Sequence, residues 1–341
     1  PTIKGIKPSD AKAFPKAKLY DESIVRTIFL DFPNDDWFDE LGAFYRTDVE
    51  VPATMTVDGK VYPEVGVGFR GNSSYRMVRG KKKSFAITMD YAREGQELYG
   101  YDSIDLLNAN DDPSFVREVL FTSIAREFGH APKANLVRLV VNGENFGVYV
   151  NLQQFDKTYV KESFGTKKGA RWKVPANFAG DAALVFKGDD VAAYKTLYRF
   201  KGDAKEEAAS WSALIDLCRT LKETSAEELP IVLPKKLDVF ETLWFLALDN
   251  VFMDGDGYHG RGSDYALYLD LDGVFHVLTR DDNETFGLGG GPGGPGGPGG
   301  RFGPGRRGAR DGPPDGAPQG PPGEGDGDPP GPPPQGAPND G

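Results

Sequence analysis

Near the end of the chain's apolar-rich region, two short runs, Tyr265 to Leu269 and Val274 to Leu278, are strand-like and are joined through Asp272-Gly273. That dipeptide favours a tight hairpin turn, so the pair predicts a β-hairpin. Earlier in the chain the apolar positions again fall in short runs. Ile24 to Asp31 reads as an edge-forming strand, Trp37 to Ala43 as a short helix, and Val51 to Val57, Val61 to Phe69 and Ser84 to Met89 as a β-meander. Asp58-Gly59 supplies the first turn of that meander and Asn142-Gly143 joins two further strands, Ala134 to Val141 and Gly147 to Leu152. Between them, Asp111-Asp112-Pro113-Ser114 opens a helix over Phe115 to Phe128, with Val116, Val119, Leu120, Ile124 and Ala125 at helical spacing before Gly129. Beyond residue 200 the period changes to that of helices, at Ala204 to Thr220 and Leu237 to Asp249, the latter with Phe240, Leu243, Trp244 and Ala247 on one face. The order predicts an α+β fold in which a β-rich first lobe precedes a mainly helical second lobe, with a crevice between them.

Acidic residues mark the ends of the late hairpin. Asp254, Asp256 and Asp264 precede its first strand, while Asp281, Asp282 and Asn283 follow its second. A hairpin returns the chain beside its start, so these oxygens can meet at one end of the ribbon and suit a hard divalent cation. A pair of solvated acidic loops is the plainer reading of the same residues. An EF-hand is excluded, because Tyr258 stands at a ligand position and His259 at the turn glycine.

Composition narrows the picture. The 341 residues carry a formal net charge of −11, which argues against general nucleic-acid binding. From Gly289 onward the chain is mostly Gly and Pro, with a single aromatic residue, Phe302, and is expected to be a disordered tail. Cys218 is the one cysteine, so neither a disulfide framework nor a thiolate zinc site is available. Three scattered histidines make a His-based metal site an unfavoured expectation. No run is long and apolar enough to span a membrane. The chain starts at Pro1 rather than Met, consistent with a processed or trimmed N-terminus and the loss of a targeting segment.

Phosphoryl transfer by a protein kinase needs a phosphate-covering loop, a strand lysine, a helix glutamate, a catalytic aspartate and a metal-holding aspartate. Candidates for all of these occur in that order. Gly66-Val-Gly68-Phe-Arg-Gly71 fits G-x-G-x-x-G, and no helical pattern follows over Asn72 to Lys83, which excludes a dinucleotide fold. Lys81-Lys82-Lys83 precedes a strand, and Glu118 lies in the long helix of the first lobe. Asp256 stands in the catalytic-base position, Asp264 before the hairpin and Asp281 after it. Each feature alone has a bland alternative: a strand-end turn, a solvated basic loop, a surface glutamate.

The blocks GFRGNSS, LLNANDDPSFVRE, VVNGENFGVY, SDYALY and RDDNETFG closely resemble the CotH kinase family, over about Leu19 to Gly287. The resemblance implies an atypical protein-kinase-like, two-lobed fold. Its expected boundaries are an extension over 1–18, a β-rich lobe over 19–155, a helical lobe over 156–288 and the Gly/Pro-rich tail over 289–341. It implies transfer of the ATP γ-phosphate to Ser or Thr of partner proteins, with Mg2+ or Mn2+, in an exported or surface-associated protein. Carried over, Lys83, Glu118, Gly68 and Gly71 are expected to bind ATP. Asp256 is expected to serve as the catalytic acid, with Asp254 as its competitor, and Asp281, Asp264 and Asn283 are expected to hold metal. The family's WDLD pattern stands here as Arg280-Asp281-Asp282-Asn283, and Asp264 replaces a common asparagine. A catalytically silent structural or adhesive protein of a coat or envelope is the alternative.

Overall fold

The computed structural model describes residues 4–110, 112–176, 181–255 and 257–286. Asp256 and the Gly/Pro-rich tail lie outside these described residues.

Seven strands close into a barrel in the order β1-β2-β3-β4-β5-β7-β6. They are β1 (Arg26–Asp31), β2 (Val51–Val57), β3 (Lys60–Arg70), β4 (Ser84–Thr88), β5 (Ser103–Leu107), β6 (Ala134–Val141) and β7 (Glu144–Leu152). The expected edge strand is not an edge. β1 pairs antiparallel with β2 and parallel with β6, which closes the barrel and leaves no open rim for strand addition. Alternate residues of each strand fill the interior: Ile28 and Leu30, Val65 and Val67, Phe85 and Ile87, Ile104 and Leu106, Val137 and Leu139 are all buried. β5 escaped the sequence reading because its run SIDLL is short and contains Asp105. The turns behave as their dipeptides require, with positive φ at Asp58 and Gly59 and at Asn142 and Gly143.

One end of the barrel holds Arg26, whose side chain is fully buried. Its Nε donates to Asp58 Oδ2 at 2.5 Å and its Nη atoms donate to the carbonyls of Phe14, Ala17, Lys18 and Leu19. A buried guanidinium is tolerated only when its donors are taken up in this way, so Arg26 ties the N-terminal segment to the barrel.

A second sheet, in the order β11-β10-β8-β9, is built from β8 (Ala170–Val174), β9 (Arg199–Phe200), β10 (Tyr265–Leu269) and β11 (Phe275–Thr279). β8 and β9 were not anticipated. One face of this sheet carries Trp172, Leu267, Phe275 and Val277 against the 17-residue helix Glu207–Glu223, whose Trp211, Leu214, Leu217 and Cys218 are buried there. The other face carries Ala266, Tyr268 and Leu278 against the helix Lys157–Phe164. A five-residue helix at Ser73–Met77 also forms where no helical pattern is visible.

Two helices join barrel and sheet. Arg117–Ala125 connects β5 to β6, and its Phe121 and Ala125 pack beside Leu248 and Phe252 of the helix Val239–Val251 and the following turn. In chain order the helices are α1 (Trp37–Ala43), α2 (Ser73–Met77), α3 (Arg117–Ala125), α4 (Lys157–Phe164), α5 (Ala192–Lys195), α6 (Glu207–Glu223), α7 (Leu229–Val232), α8 (Val239–Val251) and α9 (Tyr258–Arg261). In α8 the apolar stripe is not the buried face, and in α3 it is buried only in part, through Ala125. Leu120 of α3 and Phe240 and Leu243 of α8 are exposed, whereas Glu118, Glu241 and Asp249 are buried.

Candidate functional site

α3 starts after Val116, whose own side chain makes no cap. Asp112 accepts the amides of Ser114 and Arg117, each at 2.9 Å, and so anchors the first turn. That turn carries Glu118, which is 1% exposed and whose two carboxyl oxygens accept no hydrogen bond of good geometry from the described residues. Burial, then repulsion from Asp281 and Asp254, pushes its carboxyl up to about 8, with Arg70 and the Asp282 amide pulling weakly the other way.

The hairpin supplies the facing acids. Tyr265 pairs with Thr279, so Asp264 and Arg280 are the next opposed positions and Asp281 lies one residue beyond, at the same end of the ribbon. Asp264 is buried with φ +52°, beside the Ser263 hydroxyl at 3.2 Å, and Asp281 also turns through positive φ, at +64°. Asp282 is 1% exposed; one carboxyl oxygen accepts the Thr279 hydroxyl and the other has no hydrogen-bond partner among the described residues. Its carboxyl is raised by burial and by Glu118, against the Thr279 bond, with Asp281 and Asp249 adding to the rise. Asn283 sits in the same short turn, half-buried.

The third contribution follows α8. Asp254 is buried, and its amide donates to Asp249 O at 3.0 Å. A Cβ on Gly257 would lie 2.3 Å from Asp249 Oδ1 and 2.4 Å from Asp254 Oδ2, so only glycine lets the chain pass between these two carboxylates. Burial raises Asp249 to about 6, against the bond from the His259 amide. Asp254 thus sits within the acidic group, in the field of Glu118.

A cleft beside these acids is lined by Arg70, Asp105, Lys173, Arg280 and Asp281. Arg70, the last residue of β3, pairs with Asp105 of β5 at 2.6 Å. Arg70 rather than Lys83 is the cation whose field reaches Glu118. Lys83 Nζ donates to the carbonyls of Tyr75 and Val78 at 2.6 and 2.5 Å and lies over the Tyr75 ring, which fixes the loop after α2. Lys82 lies over Phe115 and Tyr149. Gly68 is within β3, paired with Ala86 and with open space at its missing Cβ, and Gly71 adopts φ +88° as the strand turns into α2.

Arg70 and Lys173 did not stand out in the sequence, whereas Asp282 was among the oxygens noted after the hairpin. Lys173 could have been found as the buried charge in the strand ARWKV, and Arg70 as the charge closing GFR. Two of the three histidines also come together: His130 and His276 flank Glu241, and single ligand atoms of the three lie within 4.8 Å of one another. Scatter along the chain did not mean scatter in space.

A family model described as CotH kinase protein matches residues 67–310, well over half of the chain. The chain belongs to the CotH kinase protein family. The matched span contains every residue of the acidic group and the cleft. Among CotH relatives, the inner spore coat protein H of Bacillus subtilis is 27% identical over 255 residues, which is 70% of this chain and 63% of that protein. Invasin CotH2 of Rhizopus delemar is 23% identical over 283 residues, 80% of this chain and 46% of that protein. The chain therefore spans 46% and 63% of the lengths of these two relatives.

Proposed function

We propose that this chain is a metal-dependent protein kinase that transfers the ATP γ-phosphate to Ser or Thr of coat or surface proteins. The observation that carries the reading is Glu118, a buried carboxyl that accepts no hydrogen bond of good geometry from the described residues and lies in the field of Asp281 and Asp254. The charges of Asp281 and Asp254 reach this buried carboxyl and favour a proton or a cation beside it. Carboxylate oxygens are the donors that Mg2+ or Mn2+ prefers, so the residue types suit the metal that the family implies. A bound cation would neutralise charge on the phosphates.

In this reading the barrel is the first lobe, over 19–155, and the second sheet with its helices is the second, over 156–288. Arg70 and Lys173 bind phosphate oxygens in the cleft, Asp281 with Glu118 and Asp264 holds metal, and Asn283 adds an outer oxygen. The acid that orients the acceptor hydroxyl comes from the Asp254 to Asp256 segment. Gly68 and Gly71 shape the loop over the nucleotide. Lys83 supports that loop from behind, through its bonds to Tyr75 and Val78. Among the described residues no helix is long and apolar enough to cross a membrane. The coat and invasin names of the relatives support a surface location.

Those same names favour a second reading, a catalytically silent structural or adhesive protein. Incubation with labelled ATP and Mg2+ or Mn2+, with wild type beside Asp281→Ala, separates the two. The kinase reading expects phosphotransfer to fall by about 100-fold or more in the variant, the scale of losing a preorganised electrostatic group. Wild-type incorporation no higher than the variant's background would leave the scaffold.

A further inference from the structure

We propose that His130, Glu241 and His276 form a second metal site, separate from the acidic group and suited to a borderline transition metal such as Zn2+. Three elements converge to build it: the connection between α3 and β6 brings His130, the first turn of α8 brings Glu241, and β11 brings His276. His130 Nδ1 lies 2.7 Å from Glu241 Oε1 and His276 Nδ1 lies 2.9 Å from Oε2. Ligands around a tetrahedral ion with bonds of ~2.1 Å sit roughly 3.4 Å apart. A span of 4.8 Å therefore closes onto one ion by rotation of the carboxyl and a small shift of the rings.

The surroundings are those of a metal-ligating histidine. His276 Nε2 lies 3.2 Å from Asp270 Oδ2, so the far nitrogen is held by a carboxylate and Nδ1 is left to face the site. This carboxylate–histidine arrangement orients the ring and raises its basicity toward a metal. Phe164 packs on both imidazoles, with ring centroids 4.3 Å from His130 and 4.7 Å from His276, and forms an apolar wall. The His130 side chain is 37% exposed, which leaves a path for entry and room for water as a fourth ligand.

Donor chemistry separates the two sites. Two imidazole nitrogens and one carboxylate oxygen favour Zn2+ or its analogues, whereas the all-oxygen group around Glu118 favours Mg2+ or Mn2+. Glu241 and Asp249 are eight positions apart on α8, which places the new site ~12 Å along the helix from the acidic group. A metal there pins the barrel's α3 connection to both α8 and β11.

The test is titration of the chelator-treated full chain with Co2+, followed by its visible d–d bands, and displacement by Zn2+. The expected result is one equivalent of Co2+ with tetrahedral bands. Affinity should fall at least 100-fold in His276→Gln and in His130→Gln, and by about 10- to 100-fold in Asp270→Asn. Asp281→Asn should leave it unchanged. Absence of bands and of Zn2+ retention in the wild type would overturn the site and leave a hydrogen-bonded triad. Binding that persists in both histidine variants, or that is lost in Asp281→Asn, would also overturn it. Circular dichroism monitors folding, and the half-exposed His130 carries the test if His276→Gln does not fold.

Discussion

Two buried glutamates show how differently one side chain behaves in two corners of this molecule. Glu118 on α3 and Glu241 on α8 are 1% and 8% exposed, and both lie on the buried faces of their helices. For Glu241, burial opposes ionisation, but hydrogen bonds from His130 and His276 and from the His130 amide outweigh it and bring the carboxyl down to about 2. For Glu118, burial is reinforced by Asp281 and Asp254, and the carboxyl rises to about 8. Without metal, Glu241 is satisfied by hydrogen bonds that fasten elements together, whereas Glu118 accepts none of good geometry from the described residues.

The largest change expected from breaking this contrast is at the satisfied glutamate. Glu241→Ala removes the acceptor for three donors and leaves buried polar groups behind, so stability should fall by about 3 to 5 kcal/mol. Urea denaturation of the chelator-treated protein at pH 7 measures it, and a loss below about 1 kcal/mol would mean that the clamp contributes little. Next comes Glu118→Gln, for which the sign reverses. The folded state holds the Glu118 proton more tightly than the unfolded state, because its pKa is raised from 4.5 to about 8. The stability contributed by the protonated form is therefore fully present below about pH 4.5 and is lost as pH rises through about 8. The glutamine variant should match wild type near pH 4 and exceed it by on the order of 3 kcal/mol at pH 9 without metal. Denaturation curves at the two pH values check this, and saturating Mg2+ should shrink the gain. Phe240→Ser sits at the small end. Phe240 is 72% exposed despite its place in the apolar stripe of α8. Its thermal unfolding should shift stability by no more than about 0.5 kcal/mol, whereas a residue buried as the periodicity suggests would cost several times more.

These two helices also show what was legible in the sequence. α3 and α8 were expected as helices near their observed positions, and Glu118 was singled out on α3. Which face each helix buries was not legible, because apolar periodicity assumes that the core wants only apolar atoms. Here each helix borders a polar cluster, and Leu120, Phe240 and Leu243 are left outside. Local turn chemistry was more dependable. Asp58-Gly59, Asn142-Gly143 and Asp272-Gly273 sit at observed turns, since positive φ is a property of the residues themselves. The strands missed were short ones, β5, β8 and β9, of five, five and two residues.

By itself the sequence determined most of the longer helices and the hairpins, the blocks that mark the CotH family, and the acids before β10 and after β11. Those features are written in local conformational preference and in short spacing. Tertiary structure decided that β1 closes a barrel by pairing with β6, that Arg70 rather than Lys83 lies in the field of Glu118, and that His130 meets His276 across Glu241. Each of these joins positions tens to more than a hundred residues apart. Packing of barrel, sheet and connecting helices sets such distances, and neither local propensity nor periodicity carries that information.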